Sequence, residues 1–281
     1  MTLKSQTIAV FDPATGDQIG SVEDSGPQAV NAAVAKARAS FDSGVWRGMA
    51  GKERAKIMWR AADLIEARMD ELVRAETLNN GMPQMLAQIT IGIGAEALRY
   101  NAGWCTRLHG QTSNVITDGA IGGGRIEYHA YTLKEPIGVA GLITPWNVPI
   151  SMALAKLAPC LAAGCSAVIK PAEETPLTTQ TVVDILREAG IPDGVINLVQ
   201  GYGHTAGAAL TAHPDVDKIS FTGSTEVGKM IVKAAAGNLK KVTLELGGKS
   251  PVLIFDDADL SKAIPGAAIG VFSNSGQVCI A

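Results

Sequence analysis

The 281-residue sequence predicts an α/β protein built on a parallel, doubly wound sheet, and three features of the chain lead there. From Ile137 onward, short apolar runs rich in β-formers alternate with helix-like segments. The runs are close to continuously apolar, as strands covered on both faces must be. Glycines and polar residues then collect directly behind the runs, where ligands bind in open sheets of this kind.

The first third reads as helical. Residues 27–41 place Val30, Ala33, Val34, Ala37 and Phe41 on one face at a 3.6-residue period. Residues 52–78 repeat the pattern through Ile57, Ala61, Leu64, Ile65, Leu72 and Val73, with Asn80-Gly81 as the C-cap. A third helix spans 83–104, and these stripes read as scaffold. Gly122-Gly123-Gly124 is then a flexible turn, and residues 125–133 alternate polar with apolar as one strand of a hairpin. Such an excursion either meets another subunit or is an ordinary surface hairpin.

Five buried strands follow at 139–144, 167–170, 195–199, 218–221 and 242–246. Helices at 151–163, 177–189, 205–212 and 225–236 separate them. Right-handed crossovers bring all the strands' C-terminal ends to one edge. That edge gathers Pro145-Trp146-Asn147, Lys170 to Glu173, Gly201-Tyr202-Gly203, Thr222-Gly223-Ser224 and Glu245. Residues 251–255 read as another strand and 258–272 as a helix, the opening of a second domain, so the chain reads as the N-terminal portion of a longer protein.

Composition narrows the function classes. A net charge of −3 and 5% aromatic residues offer neither a basic face nor a stacking platform, so no nucleic-acid partner is expected. The first residues contain no apolar signal region, and no uncharged apolar run approaches the ~20 residues of a membrane helix. The expectation is a cytoplasmic protein with no membrane partner. Four cysteines without a CxxC pair and four scattered histidines predict neither a metal site nor disulfides.

Single motifs are ambiguous. Gly201-Tyr-Gly203-His-Thr-Ala-Gly207 is GxGxxxG rather than GxGxxG and lacks the acidic residue about twenty positions on, so it is either a phosphate contact or a tight turn before a helix. Gly223 to Met230 nearly matches a phosphate loop, but Met230 has no oxygen for Mg²⁺. Backbone N–H groups at the start of that helix still suit a pyrophosphate. Glu173 suits a ribose hydroxyl or, equally, a helix dipole. Cys279 sits in a polar, glycine-containing loop, whereas Cys160 and Cys165 belong to an alanine-rich, inert environment.

Five motifs occur in order: Pro145-Trp-Asn-Val-Pro149, Lys170-Pro-Ala-Glu-Glu-Thr-Pro176, Phe221-Thr-Gly-Ser-Thr-Glu-Val-Gly228, Glu245-Leu-Gly-Gly-Lys-Ser-Pro251 and Gly276-Gln-Val-Cys279. Together they resemble the aldehyde dehydrogenase superfamily, from the first helices to the end of the chain. The resemblance implies a Rossmann-like nucleotide-binding domain (1–118 with 137–246), an oligomerisation hairpin (119–136) and the start of a catalytic domain (247–281). It implies oxidation of an aldehyde to a carboxylic acid with NAD, or NADP, as hydride acceptor. Cys279 is then the nucleophile, forming a thiohemiacetal and then a thioester. Asn147, with the Cys279 backbone N–H, holds the oxyanion, and Glu245 activates the hydrolytic water. Trp146, Lys170, Glu173, Gly223, Ser224, Gly228 and Leu246 are the implied cofactor contacts, and Val148, Met152 and Ala155 the implied substrate tunnel. Val148 departs from the aromatic residue common there, and the family's distal glutamate-and-phenylalanine motif lies beyond Ala281. A homodimer or homotetramer is implied, and residues 1–281 alone are expected not to turn over aldehyde. The alternatives are a CoA-acylating relative, disfavoured by Glu245, and a non-catalytic nucleotide-binding fragment.

Overall fold

A computed structural model describes residues 7–119 and 123–280. The chain opens on an antiparallel hairpin, β1 (Thr7–Phe11) and β2 (Gln18–Glu23), which the helical reading of the first third did not foresee. Asp12 organises its turn, accepting the Ala14 N–H on Oδ1 and the Gly16 N–H on its carbonyl, both at 2.8 Å.

Four helices follow: α1 (Gly26–Ser43), α2 (Gly51–Ala67), α3 (Met69–Asn80) and α4 (Gln84–Ala102). The single helix expected over 52–78 is therefore two. Arg68, at φ −107° and ψ 22°, leaves the helical basin. The apolar period runs on through this break with no glycine or proline to announce it. Gly81 ends α3 at φ 77°, and an added Cβ there would lie 2.9 Å from Pro13 Cγ.

The second hairpin pairs β3 (Thr112–Asp118) with β4 (Arg125–Tyr131), in register from Thr112↔Tyr131 to Asp118↔Arg125. It begins earlier than the expected 119–136 and its second strand stops at Tyr131. Gly123 and Gly124 lie in its turn at positive φ, whereas Gly122 falls outside the described residues. Both strands are exposed along their whole length.

The α/β unit then runs β5 (Val139–Ile143), α5 (Pro149–Ala163), β6 (Ser166–Lys170), α6 (Leu177–Glu188), β7 (Ile196–Leu198), α7 (Ala208–Ala212), β8 (Lys218–Gly223), α8 (Thr225–Ala235) and β9 (Lys241–Leu246). A π-turn, Gly203–Gly207, replaces the first part of the helix expected at 205–212. All pairings are parallel, and the order is β7-β6-β5-β8-β9. Strand order reverses between β5 and β8, so the crevice outside their C-terminal ends is the topological switch point.

Side-chain alternation divides the core between the two faces of the sheet. Ala140, Leu142, Ala167 and Ile169 join α2 to α6, while Val139, Ile143, Val168, Ile219 and Phe221 join α1, α7 and α8. Strands β5 and β6 are wholly buried, but β9 alternates exposed with half-buried residues, contrary to the expectation of five buried strands. It is the edge strand, and its outer flank is open. Residues 251–255 form no strand; apolar side chains do not suffice where no neighbouring strand takes up the backbone N–H and C=O groups. Helix α9 (Leu260–Phe272) starts later than expected, with Asp259 Oδ1 accepting the Ser261 N–H at 3.0 Å, and buries none of its residues. Among the described residues, no helix is long and apolar enough to cross a membrane.

Candidate active site

The exit from β5 is shaped by two prolines. Val148, extended at φ −142°, precedes Pro149, which starts α5 where a missing N–H costs nothing. Between them Trp146 and Asn147 leave the sheet at the switch point. The Trp146 carbonyl accepts from Asn80 Nδ2 at 2.7 Å and from Thr175 Oγ1 at 3.2 Å. Trp146 is 44% exposed.

A reciprocal pair of amides docks the cysteine loop here. Asn274 Nδ2 donates to the Asn147 carbonyl, and Asn147 Nδ2 donates to the Gln277 carbonyl, each at 2.8 Å. Asn274, Ser275 and Gly276 have φ of 49°, 57° and 80°, a left-handed run that Asn and Gly accept most readily. Exposed Cys279 follows two residues after the docked Gln277.

On the next strand Lys170 is 1% exposed, and a buried ammonium needs partners. Its Nζ donates to Glu173 Oε2 at 3.0 Å and to the Pro171 carbonyl at 2.8 Å. Burial pushes the Glu173 carboxyl up, but the Lys170 charge and the Gly203 N–H outweigh it and hold the group below its usual value. Gly203 N–H donates to Glu173 Oε1 at 3.2 Å. The Tyr202 N–H and Thr205 Oγ1 donate to Asp24 Oδ1 at 3.4 and 2.9 Å. The GxGxxxG segment is thus tied to Glu173 and Asp24, as a tight turn would be.

Across the crevice, Gly223 precedes Ser224, whose Oγ caps α8 by accepting the Val227 N–H at 3.2 Å. A side chain at Gly223 would run into the Phe221 ring. An added Cβ at Gly228 would lie 2.9 Å from Leu246 Cδ2, so these two residues seat α8 on the end of β9. Glu245 is exposed on β9, in register with Thr222.

Lys156 belongs to this site and escaped the sequence reading. Its Nζ donates to Ser220 Oγ at 3.1 Å. Burial lowers its pKa to about 8, the Glu245 charge opposing and Lys218 adding to the fall. It is the sole charged residue of α5, a signal visible in the sequence.

Asn147, the Cys279 loop, Lys170, Glu173, Gly223, Ser224 and Glu245 thus share the C-terminal edge of the sheet. A cavity of about 530 Å³ between β1 and this edge is lined by residues including Phe11, Asn80, Trp146, Glu173, Tyr202 and Gln277. Val148, Met152 and Ala155 follow one face of α5, but Val148 packs against the core, Met152 is half-buried and Ala155 exposed. Among the described residues no group of three His, Cys, Asp or Glu side chains forms a metal-ligand cluster. The donor set suits a dinucleotide: a carboxylate and an ammonium for sugar hydroxyls, and free amides at the start of α8 for a pyrophosphate.

A sequence model described as the aldehyde dehydrogenase family matches residues 1–281. Aldehyde dehydrogenase family 2 member C4 of Arabidopsis thaliana is 48% identical over 278 residues, 98% of this chain and 54% of that protein. Phenylacetaldehyde dehydrogenase of Pseudomonas fluorescens is 47% identical over 277 residues, 98% of this chain and 55% of that one. The NAD⁺ complex of an aldehyde dehydrogenase from Bacillus cereus superposes with a TM-score of 0.92 at 45% identity, covering 98% of this chain and 55% of that one. The chain spans about half the length of the relatives it matches.

Proposed function

Since the chain belongs to the aldehyde dehydrogenase family, we propose that it supplies the cofactor edge and the nucleophile for NAD⁺-dependent oxidation of an aldehyde to a carboxylic acid. The observation that carries this reading is the reciprocal Asn147–Asn274–Gln277 docking, which ties the Cys279 loop to the switch point of the sheet.

Cys279 Sγ adds as thiolate to the aldehyde carbon, since the thiolate is the nucleophilic form. One N–H of the Asn147 amide is engaged by Gln277, and the other is the donor assigned to the developing oxyanion, with the Cys279 backbone N–H beside it. NAD⁺, when bound, supplies the hydride acceptor. Oxidation of the thiohemiacetal leaves a thioester on the same sulfur, and Glu245 takes a proton from the water that hydrolyses it. Lys156, its pKa lowered by burial, lies within the field of the Glu245 charge.

Lys170 and Glu173 hold sugar hydroxyls, and Trp146, Gly223 and Ser224 border the phosphates, with Gly228 and Leu246 seating the helix that presents them. A carboxylate at Glu173 favours a 2′-hydroxyl over a 2′-phosphate, hence NAD over NADP, with Lys170 softening the preference. Val148, Met152 and Ala155 form the aldehyde side, where the small Val148 and Ala155 admit bulky substrates.

The test is kinetic, in the complete enzyme. Cys279→Ala abolishes oxidation and retains NAD⁺ binding, whereas Glu245→Gln keeps a burst of NADH and loses steady-state turnover. A normal steady-state rate in Glu245→Gln refutes the base assignment.

A further inference from the structure

The buried face of α3 is largely polar. Leu72, Glu76, Asn79 and Asn80 are its buried residues, at i, i+4, i+7 and i+8, where a packed helix usually places apolar side chains. Polar groups in such positions are costly unless bonded. Each of the three finds a backbone partner on a segment at the edge of the sheet. Asn80 Nδ2 donates to the Trp146 carbonyl at 2.7 Å, and the Ile150 N–H donates to Glu76 Oε1 at 3.1 Å. Asn79 Nδ2 donates to the Glu174 carbonyl and its Oδ1 accepts the Leu177 N–H, both at 3.1 Å. The first two bonds bracket Asn147 from either side. The second two grip the segment that directly follows Glu173.

We propose that the last turn of α3 positions the site: Glu76 and Asn80 fix Asn147 for the oxyanion, and Asn79 fixes the Glu173 loop for the cofactor. This deepens the aldehyde-oxidising reading and rests on it. The three act through the backbone of the β5–α5 and β6–α6 connections. Gly81, in its left-handed conformation against Pro13, ends the helix directly after Asn80 and ties the turn to the β1–β2 loop. Adjacent asparagines thus have separate tasks, one toward chemistry and one toward cofactor binding.

The test separates those tasks. In the complete enzyme, Asn80→Ala lowers kcat about a hundredfold, the effect of roughly 1 Å of misplacement, and raises the NAD⁺ Kd far less, because Thr175 Oγ1 still holds the Trp146 carbonyl. Asn79→Ala raises the NAD⁺ Kd about tenfold, the worth of one hydrogen bond, and largely spares kcat at saturating NAD⁺. If the alanine variants do not fold, Asn80→Leu and Asn79→Leu keep the volume, remove the donor without burying a charge and carry the same comparison. Parallel losses in kcat, Kd and Tm in both variants overturn the proposal. Amide hydrogen exchange on the cofactor-free chain judges the bracket independently of activity. Glu76→Leu should speed exchange at Ile150 and Asn79→Ala at Leu177, with Glu76→Gln restoring protection at Ile150. Unchanged exchange at both amides also overturns the proposal. An unmodified enzyme that forms no NADH from any aldehyde refutes the functional reading instead, whatever the exchange shows.

Discussion

Glu76 is a carboxyl with almost no water around it. Burial raises its pKa to about 7, while Thr178 and the Ile150 N–H pull the other way. In the unfolded chain the same group titrates near 4.5. Between these values the native state holds a proton that the unfolded state has released, so stability falls as pH rises through the window and levels off above about 7. The full change is on the order of 3 kcal/mol. Glu76→Gln keeps the acceptor for Ile150 and removes the titration. Urea unfolding at pH 5 and pH 8 should therefore show a smaller pH dependence in the variant than in the parent, with the variant gaining at pH 8. Equal pH dependence in the two proteins would mean that Glu76 ionises in place without cost.

At the scale of elements, the β3–β4 hairpin stands out because neither of its faces is covered. Val115 pairs with Tyr128 across the strands and Thr117 with Ile126, so apolar side chains lie in water on a ribbon that is marginal by itself. A second copy of the chain is the occupant to test, since the family resemblance implies a homodimer or homotetramer. Replacing the cross-strand pair, Val115→Lys with Tyr128→Lys, places two like charges opposite one another on one face. The expected result is dissociation to monomers in light scattering with the helical signal retained. An unchanged molar mass would remove the hairpin from the assembly. The α2–α3 break at Arg68 is a second decision at this scale, for it turns α3 so that its polar turn meets the sheet edge.

For the whole molecule, protection from exchange should follow the layers. Strands β5 and β6 are buried on both faces between the two core clusters, whereas β9 is half open and residues 251–272 bury no side chain. Hydrogen exchange should accordingly be slowest at β5 and β6 and fastest at 251–272, with β9 between them. Protection of 251–272 equal to that of β5 would contradict the layering. The switch point lies between β5 and β8, so the best-protected strand carries Asn147 at its exit. The docked Cys279 loop hangs from that exit by two hydrogen bonds donated by side-chain amides.

Much of this was determined by the sequence alone. Hydrophobic period placed the five parallel strands and most helices within a few residues, because local backbone preference and the demand to bury apolar stripes act over one or two turns. Glycines and prolines at the strand ends marked the site edge for the same reason, whereas Cys279 was singled out as the nucleophile only by the resemblance to the family. The tertiary structure decided the rest. Thr7–Phe11 became a strand because Gln18–Glu23 pairs with it, and 251–255 did not because no strand lies alongside. Lys156 became an ammonium of weakened basicity only when α5 packed over β8 and buried it. Glu76, Asn79 and Asn80 read locally as a helix end, yet their partners lie 66 to 98 residues away, and Asn147 meets Gln277 across 130 residues. No local preference encodes such a bond; it exists because folding buries polar groups that must then find partners wherever the packed elements bring them.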